Sequence, residues 1–213
     1  MLFDLQNLVF LGWFALVGAL LNAAGDWLLL GFPVAGRNIK MEMIAQKPAR
    51  SVKFGVYIGM IAIPMWLCVL FPVTYLLRDA PVPWIAITFV GLVLMISYSL
   101  VYHVTYIFYD IAYRQFPNSV ERVSKEKRLL QLFLNPVALV TSISIFIAGV
   151  IGGAPVFWLV ANPMLLTVLF SVVARYSPAP FGGYLLTGAG SLVFALFTYV
   201  TMIAVSAIDP SIT

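Results

Sequence analysis

The residues most able to do chemistry are polar side chains that lie inside long apolar stretches. Asp26 lies in such a stretch, with Asn22 four residues earlier and Gly18 four residues before that. Residues four apart share one face of a helix. Because ionisable groups in lipid are costly and usually face the protein interior, Asn22 and Asp26 are candidates for a site. The alternative is a packing seam between helices, in which Asp26 caps or pairs near the interface.

A later apolar stretch carries a stripe of phenols. Its members are Tyr98, Tyr102, Tyr106, Tyr109 and Tyr113, with His103 and Asp110 at the edge. At 100° per residue the tyrosines fall within a wedge of ~80°. The stripe is ~22 Å long at the helical rise, which is deeper than an interfacial aromatic belt. It therefore predicts a partly hydrated cavity along this face.

His103, the only histidine, is predicted to lie at a depth similar to that of Asp26. A histidine beside a carboxylate can act as a general base oriented by that carboxylate, or as a proton relay. We therefore take Asp26 and His103 as the catalytic candidates, with a structural histidine as the alternative. The ligand-binding candidates are Asn22, Tyr102, Tyr106, Asp110 and Asn162.

Asn162 precedes Pro163, which leaves the carbonyl of Leu159 without its helical partner. The Asn162 amide can satisfy such a group, and this structural role is the favoured interpretation.

Metal and cofactor chemistry is not predicted. One cysteine, Cys68, and one histidine cannot supply the three or four protein ligands of a usual zinc site, nor two histidines for a haem. Phosphate-loop, nucleophile-elbow and dinucleotide motifs are absent. The net charge of +4 comes from residues that flank apolar stretches, so we expect membrane lipids as partners and no nucleic acid. The oligomeric state stays unknown.

The composition is that of a membrane protein. Of 213 residues, 62% are hydrophobic and 9% charged, against about 25% charged in soluble domains. The apolar stretches run over 8–31, 54–77, 84–112, 129–152, 155–174 and 184–207. Each is near the ~20 residues that cross the bilayer as a helix, and their continuous apolarity argues against a barrel. The sequence predicts one all-α domain over 1–213, a six-transmembrane-helix bundle.

The basic residues predict its orientation. Eleven of the twelve lie in the gaps after the first, third and fifth stretches, so the positive-inside rule makes these gaps cytoplasmic and puts both termini on the non-cytoplasmic side. Residues 1–7 lack a positive charge and the first stretch is long for a signal peptide, so we expect it to remain as a span.

Four short motifs occur in order along the chain: Gly25-Asp26-Trp27-Leu28-Leu29, Tyr102-His103, Ala161-Asn162-Pro163 and Ser177-Pro178-Ala179-Pro180-Phe181-Gly182-Gly183. Together they resemble an uncharacterised family of multi-pass bacterial membrane proteins, a domain of unknown function. The resemblance implies a bacterial inner (cytoplasmic) membrane protein and no particular activity.

A weaker resemblance concerns two residue pairs, Gly25-Asp26 and His103 with Tyr106. These pairs are similar to pairs in lysoplasmalogenase-like membrane hydrolases. That family has more spans, and its further acidic residues have no counterpart here. If the protein is an enzyme, the likeness implies a membrane hydrolase acting on a lipid-like substrate.

The leading functional hypothesis is a pocket near the cytoplasmic leaflet, lined by Asn22, Asp26, His103, Tyr106 and Asp110. It would bind, and in the enzyme version process, a lipid-like amphiphilic small molecule. The alternatives are a proton-coupled small-molecule transporter that uses Asp26 and His103 as a relay, and a non-catalytic membrane scaffold.

Overall fold

A computed structural model describes residues 5–208, without the side chains of Leu5, Pro117 and Lys127. The helices in this part of the chain are α1 (Leu5–Leu30), α2 (Ala49–Met65), α3 (Leu70–Leu76), α4 (Val82–Gln115), α5 (Val120–Ile151), α6 (Val156–Val160), α7 (Pro163–Tyr176), α8 (Phe181–Thr187) and α9 (Ala189–Ile208). Short 3₁₀ turns join several of them, and the described residues contain no strand. The predicted all-α class is confirmed.

Five helical segments are long and apolar enough to cross a membrane: Gln6–Leu30, Ala49–Leu76, Val82–Gln115, Val120–Ile151 and Ala189–Ile208. These segments support an integral membrane protein. They match five of the six predicted stretches, so the count of six spanning helices does not follow from helix length alone.

The predicted span 155–174 is broken in the middle. It consists of α6 and α7, and α7 alone has 14 residues, or ~21 Å at the helical rise. The break lies at Asn162-Pro163, because proline has no N–H to donate to the carbonyl four residues earlier. Asn162 begins the new helix by accepting a hydrogen bond from the Met164 amide through its side chain (3.0 Å).

A second proline effect shapes the segment after α2. Pro64 lies in the last turn of α2, and a 3₁₀ turn over Trp66–Val69 separates that helix from α3. Trp66 is buried at this turn and its ring stacks on Phe194 of α9 at 4.4 Å. This pair belongs to the main apolar core, which also contains Trp158 and Phe197.

The bundle has two chemically different ends. We call the end formed by segments 31–48, 116–119 and 177–180 the basic end. These segments are joined there: Arg114 donates to the carbonyls of Ile44 (3.2 Å) and Lys47, and the Gly36 amide donates to Ser177 O (3.2 Å). At the opposite end, segments 77–81 and 152–155 meet where Gly152 lies against Ala80. The α6–α7 segment therefore connects the two ends.

Lys47 closes the end of α1. Its Nζ donates to the carbonyls of Gly31 (2.5 Å) and Trp27 (3.2 Å) and lies 4.6 Å from the centre of the Phe32 ring. The last carbonyls of a helix have no partner within the helix, and the ammonium satisfies the Gly31 carbonyl while sharing Trp27 O with the Gly31 amide (2.9 Å). Burial lowers the pKa of the Lys47 ammonium.

Two glycines set the spacing of α1 and α2. A methyl group on Gly25 would lie 2.9 Å from Gly55 O, and one on Gly55 would lie 2.7 Å from Gly25 O. Both distances are shorter than van der Waals contact, so only glycine allows this approach. The close packing brings α2 beside Asp26, the next residue of α1.

Candidate functional site

A cavity of about 370 Å³ lies among α1, α2, α4, α5, α7, α8 and α9. Much of its wall is apolar, including Ile63, Met95, Ala138, Met164, Val193 and Phe194. The polar lining includes Asn22, Asp26, Ser99, Tyr102, His103, Tyr106, Asn135, Thr187 and Ser191. A mainly apolar cavity with a few convergent polar groups is the usual form of a small-molecule site.

The polar groups are organised around Asp26, whose side chain is 15% exposed. Ser191 Oγ donates to Asp26 Oδ2 at 2.6 Å. Asn22 Nδ2 donates to Ser191 Oγ at 2.7 Å and to Asp26 Oδ2 at 3.4 Å. Asn22 and Asp26 are one turn apart on α1, and Ser191 lies near the start of α9. The cluster therefore joins the first and last described helices.

His103 completes the cluster from α4. Its Nδ1 lies 3.4 Å from Asp26 Oδ1, so the two residues that sequence depth placed together are in contact. Its Nε2 lies 3.2 Å from the Gly55 carbonyl oxygen. A methyl group on Gly59 would overlap Nε2, so that glycine leaves the space in which the buried ring fits.

Four of the five tyrosines of the stripe fall into two groups, and Tyr98 does not line the cavity. Tyr102 and Tyr106 line the cavity, with ring centres 6.0 Å apart in an edge-to-face arrangement, and Gln131 Nε2 donates to Tyr102 Oη at 3.0 Å. Tyr109 and Tyr113 instead stack on each other at 6.1 Å, and both pack in a separate apolar cluster toward the basic end. The cavity therefore follows only the inner part of the stripe.

Two predicted ligand-binding residues lie outside the wall of this cavity. Asp110 Oδ1 accepts from Arg114 Nε at 2.5 Å, and Arg114 in turn holds carbonyls at the basic end. Asn162 donates through Nδ2 to Ser142 O at 2.7 Å, while its Oδ1 caps α7. The structure thus pairs Asp110 within its own helix and Asn162 with another helix.

Other residues of the wall were not selected from the sequence. Ser191 and Thr198 lie on α9 and Thr187 ends α8, and hydroxyls inside apolar helices usually bond to their own helix. Thr198 does so, through Phe194 O, whereas Ser191 reaches across to α1. Trp66 has no polar neighbour in the sequence that would have identified it as a residue of the cavity wall. No sequence signal distinguishes Ser191 from Thr198, because their hydrogen bonds depend on which residue of a neighbouring helix packs against each of them.

Two buried polar atoms of the wall residues have no hydrogen-bond partner within residues 5–208. They are Asn22 Oδ1, an acceptor, and Trp66 Nε1, a donor. Such atoms are uncommon in folded proteins and usually indicate a missing partner. Over the same residues, no group of three or more His, Cys, Asp or Glu is arranged to hold a metal ion.

A family model matches residues 6–207, and its description is a family of unknown function, DUF6796. The chain belongs to this family, which confirms the resemblance to an uncharacterised family. No curated protein and no solved structure matches the sequence.

Proposed function

We propose that the protein binds a lipid-like amphiphile in the cavity, with the polar head of the ligand at the Asp26 cluster. The observation that carries this proposal is the asymmetry of the wall, in which Asn22, Asp26, His103 and Ser191 form one polar group beside a mainly apolar surface. The volume of about 370 Å³ falls in the range of about 300–1,000 Å³ that is usual for ligand pockets.

The rim of the cavity supports access from the bilayer. Asn135 on α5 and Thr167 and Val168 on α7 line the cavity and are also exposed on the outer surface. Helix α7 packs mainly on α8 and α9, with few contacts to α5. The space between α5 and α7 is therefore the route by which a ligand dissolved in the membrane enters sideways.

The unpartnered wall atoms favour a hydroxyl as the head group. Asn22 Oδ1 requires a donor and Trp66 Nε1 requires an acceptor, and a hydroxyl supplies both. Both residues line the cavity, and the Trp66 ring lies against Gly18, one turn of α1 from Asn22. Leaving such groups unpaired costs about 1–3 kcal/mol each, and a bound hydroxyl removes that cost.

Binding is favoured over hydrolysis by the surroundings of His103. A general base needs a ring nitrogen directed at the substrate, whereas both nitrogens of His103 face oxygens of the protein. The lysoplasmalogenase-like alternative would require this ring to rearrange. The scaffold alternative leaves the cavity and its unpartnered atoms unexplained.

For the membrane arrangement, we propose that α6 and α7 together make a sixth crossing. The segment Val156–Tyr176 runs between the two ends of the bundle. The Asn162 side chain uses both its donor and its acceptor at the break, as buried irregular backbone in a membrane requires. The basic end then lies in the cytoplasm, with both termini outside, in a bacterial inner membrane as the family resemblance implies.

Native mass spectrometry of the purified protein tests the ligand. We expect dodecanol to bind more tightly than dodecane, dodecylamine or dodecanoic acid, because only the neutral hydroxyl both donates and accepts without bringing a charge. Gly190→Leu should abolish binding, since this wall position has open space around it that a leucine would fill. Gly190→Ala is the matched control and should keep both the fold and binding. Equal binding of dodecanol by wild type and Gly190→Leu would reject the cavity as the site.

A further inference from the structure

We propose that His103 and Asp26 form a proton-binding site in which His103 is an imidazolium held between the Asp26 carboxylate and the Gly55 carbonyl. This inference concerns the resting protein and does not depend on the identity of any ligand. It follows from the oxygen atoms that lie beside the two ring nitrogens.

The first nitrogen, Nε2, faces a group that only accepts hydrogen bonds. Gly55 O lies 3.2 Å away, and a backbone carbonyl has no proton to donate. The space that the absent side chain of Gly59 leaves is what allows Nε2 to reach this carbonyl. A proton on Nε2 satisfies the contact, and a bare Nε2 would place two lone pairs against each other.

The second nitrogen, Nδ1, also faces an acceptor. Asp26 Oδ1 lies 3.4 Å from it, while Asp26 Oδ2 accepts from Ser191 and Asn22. Hydrogen bonds to a carboxylate favour its charged form, so Asp26 is the anion and the proton lies on Nδ1. A neutral imidazole has only one N–H, and therefore cannot satisfy both contacts at once.

No other strong charge competes for this proton in the described part of the chain. Among the side chains that the structure describes, Asp26 forms an ion pair only with His103, and no described Lys or Arg pairs with it. The remaining titratable groups near the pair are Tyr106, whose ring centre is 6.0 Å from that of His103, and Tyr102; both come from α4. From α2, Gly55 and Gly59 lie against the ring, and from α9 the cluster receives the Ser191 hydroxyl.

The position of this proton at the cavity wall couples proton binding to ligand binding. Asp26 and His103 both line the cavity, so a change in what fills the cavity changes the surroundings of the proton. Binding of two species to one site is reciprocal in free energy. The pair thus supplies the coupling element that proton-driven movement of a small molecule would need.

The chain offers an unambiguous experiment because His103 is its only histidine. Protein labelled with ¹⁵N-histidine gives nitrogen signals in solid-state NMR that belong to this residue alone. In wild type in lipid bilayers at neutral pH, we expect two protonated ring nitrogens. In Asp26→Asn, we expect one protonated nitrogen, Nε2, because the introduced amide can donate to a bare Nδ1.

Asp110→Asn is the matched control. It makes the same substitution at the other aspartate of the bundle interior, which pairs with Arg114 and not with the histidine, so the two-proton spectrum should remain. A neutral imidazole in wild type at neutral pH overturns the proposal, whatever the variants show. So does a two-proton spectrum that persists in a folded Asp26→Asn protein.

Discussion

Ser191 is the residue that connects the polar cluster, because its hydroxyl accepts from Asn22 and donates to Asp26. Without it, Asn22 would keep one long contact, the 3.4 Å hydrogen bond to Asp26. The hydroxyl also joins α9 to α1. The stability of this contact and the shape of the ligand site therefore rest on one small side chain.

We predict that Ser191→Ala lowers the free energy of unfolding by about 1–3 kcal/mol, since buried polar partners are left unsatisfied, and weakens dodecanol binding as well. Chemical denaturation in detergent and native mass spectrometry measure the two effects. Thr198→Val is the matched control: this buried hydroxyl bonds only to its own helix, and its loss should cost about 1 kcal/mol or less. Equal costs for the two variants would contradict the bridging role of Ser191.

Gly59 is the residue that shapes the histidine site without taking part in its chemistry. We predict that Gly59→Ala displaces the His103 ring, because the added methyl overlaps Nε2, and lowers the free energy of unfolding by about 1–3 kcal/mol, as overpacking does. The ¹⁵N spectrum of His103 should change although every ionisable group is retained. An unchanged spectrum would mean that the ring does not occupy this space.

The sequence allowed the prediction that five residues line one cavity, because polar groups in apolar stretches must find partners or water. They are Asn22, Asp26, Tyr102, His103 and Tyr106. The same criterion also selected Asp110 and Asn162, which lie outside the cavity wall. A sequence shows that such a side chain needs a partner but not whether the partner is protein or ligand. Asp110 has Arg114 one turn later on its own helix, and Asn162 has the carbonyl of Ser142 on another helix.

At the level of the elements, the break between α6 and α7 distinguishes two similar dipeptides. Asn162-Pro163 begins a helix, whereas Asn135-Pro136 lies inside the continuous helix α5. Asn162 is buried with its side-chain bonds made inside the protein. Asn135 is exposed at the rim of the cavity, and its side chain makes no hydrogen bond to the described part of the chain.

We predict that Asn162→Ala lowers the free energy of unfolding by about 1.5–2.5 kcal/mol, the sum of a lost helix cap of about 1 and a lost buried hydrogen bond of about 0.5–1.5. Asn135→Ala, the matched variant, should change it by no more than about 0.5 kcal/mol, as is usual for exposed positions. Thermal unfolding in the same detergent compares them. A larger loss for Asn135→Ala would reject the assignment of Asn162 as the structural asparagine.

The lengths of the apolar stretches predicted where most helices lie, but not where they break. Pro64 lies in the last turn of α2, directly before a 3₁₀ turn, inside the stretch 54–77 that was predicted as one span. Helix α5 begins at Val120, nine residues before the predicted stretch at 129. Its first turns are charged, and a helix can continue into water beyond the lipid. Hydropathy reports the lipid boundary, whereas helix ends depend on hydrogen bonding and caps.

At the scale of the whole molecule, the basic residues gather at one end through direct contacts between loops. Arg114, from the end of α4, binds carbonyls of the segment that follows α1, and Ser177 after α7 binds Gly36. Three gaps that are distant in sequence thus form one surface. This arrangement agrees with the alternation of basic and non-basic gaps from which the topology was predicted. Whether α6 and α7 cross the membrane then determines on which side the carboxyl terminus lies.

Cysteine labelling on intact cells tests that sidedness. In a Cys68→Ala background, single cysteines replace Asp79, Asn118, Val156 or Tyr176, all exposed. If α6 and α7 cross the membrane together, a membrane-impermeant maleimide should label D79C and V156C from outside, but N118C and Y176C only after the cells are opened. Val156 and Tyr176 lie at the two ends of the broken segment. If only Val156→Cys is labelled from outside, the segment crosses the membrane once. Labelling of both from one side would make the segment re-entrant, leave five crossings, and move the carboxyl terminus to the cytoplasm.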